Sequence, residues 1–399
     1  VHLVRRQLAD REPHRRRAHC QRRPLAPRRK SVTVVFAGGG TGGHLYPAIA
    51  IADALRSRGV TPEFVGSADR LETTIVPNAG YPLHAIASRP LVRRVSPEFV
   101  RTIVANAAGM LQSVRLLRRL APRAVIATGG YVCFPVVAAA RTLRWLRLYR
   151  GPIALFEPNA QPGLTNRLLA PLVDEVWGAF AEGDARFTGK YVVTGVPVRS
   201  SLRVLPERDE AVRRIGLLPE RKTLLVMGGS QGARAINDAV TALIASGGIP
   251  DGWQVLHVTG EREYDRVRER LAKADTVVRP YLHDLSDAYA AADLVLARAG
   301  ASTLGELAAL GKAAILVPYP HAAEDHQAAN AARFAAAGAA VVLTDRQLAA
   351  GQLRETLAQT VDRAHLAALQ AAAAQLRGND PIATIVARVE ALLSRMSGP

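Results

Sequence analysis

The chain has 399 residues, 49% of them apolar, enough for two domains with full cores. It contains no run of about 18 apolar residues, which excludes a conventional membrane-spanning helix, and its arginine-rich start lacks the apolar stretch a secretory signal needs. The net charge is +18, and the only cysteines, Cys20 and Cys133, imply neither a disulfide framework nor a zinc site, as in a reducing cytosol. Residues 1–30 carry eleven Lys/Arg against Asp10 and Glu12, half of the net charge, with almost no periodic apolar pattern. They read as a disordered basic tail, suited to nucleic acid, to anionic lipid, or to no role.

From residue 31 onward short apolar strands alternate with helical stretches. Strands are predicted at 32–37, 62–66, 83–87, 124–128, 153–156, 174–178 and 191–194, and helices at 45–58, 69–79, 97–120, 134–146, 163–171 and 182–187. The second half repeats the logic, with strands near 223–227, 254–258, 276–279, 293–297, 313–317 and 340–343. This alternation predicts an α/β protein whose parallel sheets are covered on both faces. The turn-rich Gly195-Val196-Pro197-Val198-Arg199 separates an expected N-terminal domain at 31–196 from a C-terminal one at 197–381. A last helix at 382–399, expected to pack back toward the N-terminal domain, follows Asp380, a good N-cap, and Pro381, a good first helical residue.

Two glycine-rich loops follow the first strand of each half: Gly38-Gly39-Gly40-Thr41-Gly42-Gly43-His44 and Gly228-Gly229-Ser230-Gln231-Gly232-Ala233. Each reads as strand, tight turn and helix, a unit that offers backbone N–H groups and a helix dipole to a phosphate. Two such units predict two Rossmann-like halves facing a shared cleft, with a nucleotide or nucleotide-sugar between them. A dinucleotide enzyme would want an acid at the end of the second strand. Here Glu63-Phe64-Val65 runs into Gly66-Ser67 and Asp69 comes late, which argues against NAD or FAD.

Four further segments belong at strand C-terminal ends, where doubly wound sheets bind ligands. They are Thr128-Gly129-Gly130-Tyr131, 157–167 with Asn159, 298–306, and 321–330. With the two loops, in this order and spacing from about Ser31 to the C-terminus, the chain resembles the family 28 glycosyltransferases that act in bacterial peptidoglycan synthesis. The resemblance implies a GT-B fold of two Rossmann-like domains. It implies inverting transfer of GlcNAc from UDP-GlcNAc to the MurNAc 4-hydroxyl of lipid I, the undecaprenyl-diphosphate-linked MurNAc-pentapeptide, giving lipid II. It also implies no cofactor, no metal (no Asp-x-Asp pair is present), a peripheral place on the cytoplasmic membrane face, and cell-wall or division proteins as partners.

By the same resemblance, Gly228, Gly229, Ser230, Gln231 and Gly232 meet the nucleotide diphosphate. Arg199 lies near the donor or forms a linker salt bridge. Ala301, Ser302 and Thr303 open another helix start at the donor, and Glu306 takes the ribose hydroxyls or caps the helix, since Thr303 and Glu306 have capping-box spacing. Tyr281 and Leu282 line the uracil pocket or are core. His326, Gln327 and Asn330 approach the donor sugar, His326 standing where some relatives carry glutamine. On the acceptor side, Thr41, Gly42 and Gly43 take the diphosphate, with Tyr131, Asn159 and, less directly, Glu157 nearby. His44 serves as general base or as a hydrogen-bonding group. The chain reads Phe156-Glu157-Pro158-Asn159 where many relatives read His-Glu-Gln-Asn. Rival readings are another UDP-sugar enzyme on this fold and a catalytically inactive scaffold.

Two basic segments suit an anionic membrane surface. The first, 91–119, has Phe99, Val100, Ile103, Val104, Met110 and Leu111 among Arg93, Arg94, Arg101, Arg115, Arg118 and Arg119. The second, 141–150, sets Trp145 and Tyr149 among Arg141, Arg144, Arg147 and Arg150. The bland alternative for both is an amphipathic core helix with a solvated arginine face. Nucleic acid is not expected, because stacking aromatics in a basic groove are lacking.

Overall fold

The computed structural model describes residues 32–90, 96–180, 183–229, 232–272 and 276–395. The basic tail, Arg93, Arg94, Ser230 and Gln231 lie outside the described residues. In the N-terminal half the order is β1 (Val32–Ala37), α1 (Gly42–Arg56), β2 (Val60–Gly66), α2 (Glu72–Asn78), β3 (Leu83–Ala85), α3 (Pro97–Leu120), β4 (Ala124–Ala127), α4 (Cys133–Trp145), β5 (Ile153–Glu157), α5 (Leu164–Leu169), β6 (Glu175–Gly178) and β7 (Tyr191–Val193). The second half runs α6 (Arg208–Ile215), β8 (Lys222–Met227), α7 (Arg234–Ala245), β9 (Trp253–Val258), α8 (Tyr264–Arg270), β10 (Val277–Arg279), α9 (Ser286–Ala291), β11 (Leu294–Ala297), α10 (Ala301–Leu310), β12 (Ala314–Leu316), α11 (His326–Ala336) and β13 (Ala340–Val342). It closes with α12 (Asp345–Ala349), α13 (Leu353–Thr360), α14 (Arg363–Gln375) and α15 (Pro381–Arg395).

Every strand pairing is parallel, in a seven-stranded sheet ordered β3-β2-β1-β4-β5-β6-β7 and a six-stranded sheet ordered β10-β9-β8-β11-β12-β13. Alternate strand residues feed opposite cores, as a sheet buried on both faces requires. In β1, Val35 and Ala37 enter one core while Val34 and Phe36 enter the other. In β8, Leu225 and Met227 face one core and Leu224 and Val226 the other.

α15 begins at Pro381, with the Ile382 amide donating to Asp380 Oδ1 at 2.9 Å. Its apolar stripe, Ile382, Ile385, Val386 and Val389, joins the core of Val34, Phe36 and Phe64 beneath the seven-stranded sheet. Arg388 pairs with Glu175 of β6, and Arg58 with Glu390. The helix is therefore tied to the first half by its apolar face and by charges at both margins.

Three local expectations differ from what forms. The helix expected at 182–187 is a single 3-10 turn, Ala185–Phe187, capped by Asp184 and closed by Gly189 at φ 76°. The helix expected at 163–171 gives way at Ala170 to a 3-10 turn containing Pro171, whose ring cannot continue an α-helix. α1 starts three residues earlier than its apolar pattern, at Gly42, so the helix opening consists of glycines.

In both sheets strand order reverses at the middle: between β1 and β4, and between β8 and β11. A crevice opens at the C-terminal ends of strands at such a point. The glycine loops and the segments starting at Thr128 and Arg298 all arise there.

Candidate functional site

The first loop is built by close backbone contact. A Cβ on Gly38 would lie 2.2 Å from Thr128 Oγ1, and one on Gly130, at φ 86°, would lie 2.4 Å from the Gly39 carbonyl oxygen. The turns after β1 and β4 therefore interlock, and glycine is required where they cross. Thr41 is the N-cap of α1 with extended backbone (φ −143°, ψ 154°), but its side chain does not cap. The Gly42 and Gly43 amides have no acceptor among the described residues, as expected of the first amides of a helix. Both amides thus stand at the positive end of a 15-residue helix.

His44 stands on the first turn of α1, against Gly129. A Cβ there would be 2.4 Å from His44 Nδ1, and φ at Gly129 is 106°. Nδ1 is sealed from solvent and lacks a partner among the described residues. Burial pushes the ring down to about 4, outweighing the Thr128 backbone and Glu72, which favour the proton, while His326 also disfavours it. The imidazole is therefore neutral near pH 7. Tyr131 rests on the loop, its ring 3.3 Å from the Cβ position of Gly40, and its phenol is 3.4 Å from Ser67 Oγ.

The segment after β5 is organised by Glu157 rather than exposed by it. This buried carboxylate accepts from the Asn159 amide and side chain (both 3.0 Å), the Gly163 amide (3.2 Å) and Asn166 Nδ2 (2.8 Å). Burial pushes its pKa up against those bonds. Its expected approach to the acceptor is thus replaced by shaping the loop that presents Asn159. Asn159 Oδ1 accepts from Asn330 Nδ2 at 3.2 Å, and Asn330 Oδ1 accepts from the Ala160 amide at 2.8 Å. Asn330 also donates to the Ala299 carbonyl and is wholly buried, so its amide clasps the two halves together. Arg167 of α5 and Glu324 form an ion pair beside it.

In the second half, Gly228 packs on Ala233, where a Cβ would lie 2.4 Å from the amide nitrogen. The Gly232 amide closes the turn on the Gly229 carbonyl at 2.9 Å, with φ 88° at Gly229 and 76° at Gly232. α10 begins at Ala301 with Gly300 as N-cap and no side-chain cap. Glu306 therefore lies in the second turn, and the capping-box alternative fails on geometry. Its buried carboxylate accepts from Arg199 Nη2 at 3.2 Å and from the Tyr289 hydroxyl at 2.7 Å. Arg199 also donates to the His283 carbonyl (3.1 Å) and lies 4.8 Å from the centre of the Tyr46 ring. Burial opposes its charge, but Glu306 more than compensates. Tyr46 and Tyr281 bring their hydroxyls within 3.4 Å across the cleft. Leu282 is half-buried and packs on the second domain's core.

The two helix starts meet. The Cβ position of Gly43 lies 3.8 Å from Ser302 Oγ, a buried hydroxyl without a partner among the described residues. Thr303 is half-buried beside it. At the start of α11, Gln327 Oε1 accepts from the Tyr319 amide at 3.0 Å, and His326 is close enough to influence His44. The preceding Glu324 and Asp325 are held at φ 55° and 57°, an uncommon conformation for such residues. No group of three or more metal-ligating side chains occurs among the described residues. Thr41, His44, Ser302, Glu306, His326 and Asn330 thus surround one cleft. Sequence reasoning missed Glu72, whose carboxylate lies beneath the first loop; an acid was sought near the end of the second strand, and this one arrives from the following helix.

Away from the cleft, the N-terminal part of α3 has inverted amphipathy. Its inward face is Thr102, Asn106, Gly109 and Ser113, while Val100, Ile103, Val104 and Leu111 are exposed. Gly109 makes this possible, since a Cβ there would lie 1.9 Å from the Ala87 carbonyl oxygen. The core-helix alternative therefore holds only for the C-terminal part of α3, where Leu116 and Leu117 are buried and Met110, expected on the membrane side, packs on the core with Val114 and Leu120. Phe99 is half-buried, Arg141 is exposed, and Trp145 at the end of α4 is 82% exposed, followed by exposed Leu146 and Leu148. Two members of the 141–150 segment turn inward. Arg144 makes a two-pronged pair with Asp174 (2.7 and 2.8 Å), and Tyr149 is buried with its hydroxyl on the Pro152 carbonyl.

The sequence matches the glycosyltransferase family 28 N-terminal domain over residues 34–177 and the family's C-terminal domain over residues 223–385. It is 42% identical over 356 residues to the UDP-N-acetylglucosamine–N-acetylmuramyl-(pentapeptide) pyrophosphoryl-undecaprenol N-acetylglucosamine transferase of Moorella thermoacetica, covering 86% of this chain and 94% of that one. The Halothermothrix orenii protein of the same name is 39% identical, with 82% and 90% covered. Among solved structures, Acinetobacter baumannii MurG aligns over 90% of this chain and 99% of its own, with TM-score 0.71 and 26% identity. The calicheamicin glycosyltransferase CalG4, at 18% identity and TM-score 0.65, shares the fold. With both halves matched in order and a cleft between them, the chain belongs to glycosyltransferase family 28.

Proposed function

We propose that this protein transfers GlcNAc from UDP-GlcNAc to undecaprenyl-diphosphate-linked MurNAc-pentapeptide, the reaction stated in the names of its Moorella and Halothermothrix relatives. The observation that carries the assignment is the meeting of two helix starts, α1 and α10, at Gly43 and Ser302. One cleft can then hold two anions: the acceptor diphosphate at Thr41–Gly43 and the donor diphosphate at Ala301–Thr303 and the Gly228–Gly232 turn. Glu306 and Arg199 sit one turn deeper, where the ribose of the donor belongs, with Leu282 at the base and His326, Gln327 and Asn330 toward the sugar.

The MurNAc 4-hydroxyl attacks the anomeric carbon as the bond to the β-phosphate oxygen breaks, and UDP departs with the extra charge. Preorganised amides and the α10 dipole stabilise that charge. His44 is neutral and can accept the hydroxyl proton through Nε2, because Nδ1 is sealed against Gly129. With a pKa of about 4 the ring by itself is a weak base. An acceptor diphosphate beside it raises its basicity. The outward apolar face of α3, with Trp145 and Arg141, docks the protein on the anionic cytoplasmic face of the membrane, where the lipid acceptor resides.

Transfer of labelled GlcNAc to a short-chain acceptor analogue tests the assignment. Product from the wild type and at least a hundredfold loss in His44→Ala are expected; measurable UDP-GlcNAc binding without product refutes the acceptor and directs suspicion to Phe156 and Pro158.

A further inference from the structure

Glu72, the first residue of α2, is wholly buried, and no lysine or arginine pairs with it among the described residues. Its oxygens are engaged by neutral donors. Oε2 accepts from the Gly40 amide at 3.1 Å, while Oε1 accepts from the Ser67 amide at 2.9 Å and from the Ser67 hydroxyl. The backbone has been cleared to admit it. A Cβ on Gly39 would stand 2.5 Å from Oε1, and one on Gly66 2.7 Å from Glu72 Cγ. Ser67 passes the network on to Tyr131 at 3.4 Å, and Tyr131 leans on Gly40.

A carboxylate directly under an anion-accepting loop opposes the anion unless it does something the loop needs. Here it takes the Gly40 amide out of the set of outward donors. Gly40 is at φ 83°, so its N–H turns inward to Glu72, while the Gly42 and Gly43 amides remain without an acceptor among the described residues. The carboxylate, rather than side-chain packing, thereby sets the direction in which the loop presents its donors. A carboxylate alone can do this, because both of its oxygens face N–H or O–H groups and neither can be replaced by a donor.

We propose that Glu72 is a positioning residue for the acceptor, holding the first glycine loop so that the Gly42 and Gly43 amides seat the acceptor diphosphate beside His44. This rests on the reading of that loop as the acceptor site. Its effect is confined to one substrate, since the network stays within β2, α2 and the two turns at β1 and β4.

The full-length protein would be compared with Glu72→Gln, Glu72→Ala and Ser67→Ala in steady-state transfer from UDP-GlcNAc to a short-chain lipid-diphosphate acceptor. UDP affinity by calorimetry and thermal unfolding would be measured alongside. Glu72→Gln keeps the shape but presents an amide NH2 to a backbone donor; it should raise the acceptor KM at least tenfold, with donor KM and UDP affinity within twofold. Ser67→Ala keeps the Gly40 bond and should change the acceptor KM less than threefold. If Glu72→Ala fails to fold, Glu72→Gln carries the decision. A wild-type acceptor KM in Glu72→Gln, or donor and acceptor KM rising together with a lowered melting temperature, overturns the assignment. A wild type that makes no product overturns the acceptor reading itself, and this assignment with it.

Discussion

Removing the charge of Glu306 should do more than weaken donor binding, because Arg199 is left behind. The pair stands at 3.2 Å with side chains 9% and 20% exposed. Unit charges about 4 Å apart attract by roughly 4 kcal/mol at an effective dielectric near 20. Solvent reaching Arg199 and the entropy of fixing it reduce the net coupling to about 2 kcal/mol. Glu306→Gln strands a guanidinium whose other contacts are the His283 carbonyl and the Tyr46 ring. A loss of about 2–4 kcal/mol is expected for it, below the roughly 3–5 kcal/mol of a fully buried pair because solvent reaches Arg199. Arg199→Met in the same chain should return about 2 kcal/mol, since it removes the stranded charge. Urea unfolding of the two single variants and the double variant closes the cycle. Additivity of the single effects within about 0.5 kcal/mol would refute the pairing, and the account of Glu306 as a charge held in place by Arg199 would have to be withdrawn.

Other outcomes follow from the same geometry. Gly129→Ala places a methyl 2.4 Å from His44 Nδ1 at φ 106°, and should lower transfer at least a hundredfold while UDP affinity stays within threefold; retained activity would mean the ring position is irrelevant. His44 and His257 both fall to about 4 in the folded chain and stay near 6.5 when it unfolds. Between those values the unfolded chain holds the extra protons, so stability falls as pH drops through the window, by about 1.4 kcal/mol per unit for each ring. His257→Gln should remove about half of that pair's contribution in urea titrations between pH 7 and 5, and an unchanged slope would contradict its burial as a neutral ring. Trp145→Glu with Ile103→Glu should reduce co-sedimentation with anionic vesicles at least fivefold and spare transfer to a water-soluble acceptor. Equal sedimentation would remove α3 and α4 from the membrane face.

Fold and cleft differ in how far they could be read from the chain. Strands such as Ala124–Ala127 announce themselves because a strand buried on both faces must be apolar throughout. Glycine loops announce themselves because the crossing of two turns leaves no room for a Cβ. The directions of individual polar side chains were not legible. Glu157 looks like a ligand-facing acid in one dimension and Glu72 stands out in no way, yet both turn into loops and hold backbone amides. Arg144 reads as one of four arginines around Trp145, and only the arrival of Asp174, 30 residues later, draws it inward. Asn330 shares a helix face with Gln327, but two of its three partners come from the other half of the chain. For Glu72, Arg144 and Asn330 a deciding group is distant in sequence, so spacing carries no trace of it; for Glu157 the donors lie within nine residues, and only the fold of the loop turns them onto the carboxylate. The exposed apolar face of α3 was visible as a pattern; that the pattern points outward depends on Gly109 lying against Ala87.

Where Gly43 and Ser302 come together, two helices point their positive ends at one another, each worth roughly half a charge. Like partial charges so close repel, and an anion seated at either helix start offsets that repulsion. Substrate then acts as mortar as well as cargo. The two diphosphates also repel each other, so the coupling between donor and acceptor is the balance of these terms, and by linkage its factor must be the same in both directions. Departure of UDP therefore changes the hold on the lengthened lipid by that same factor at the moment the product has to leave.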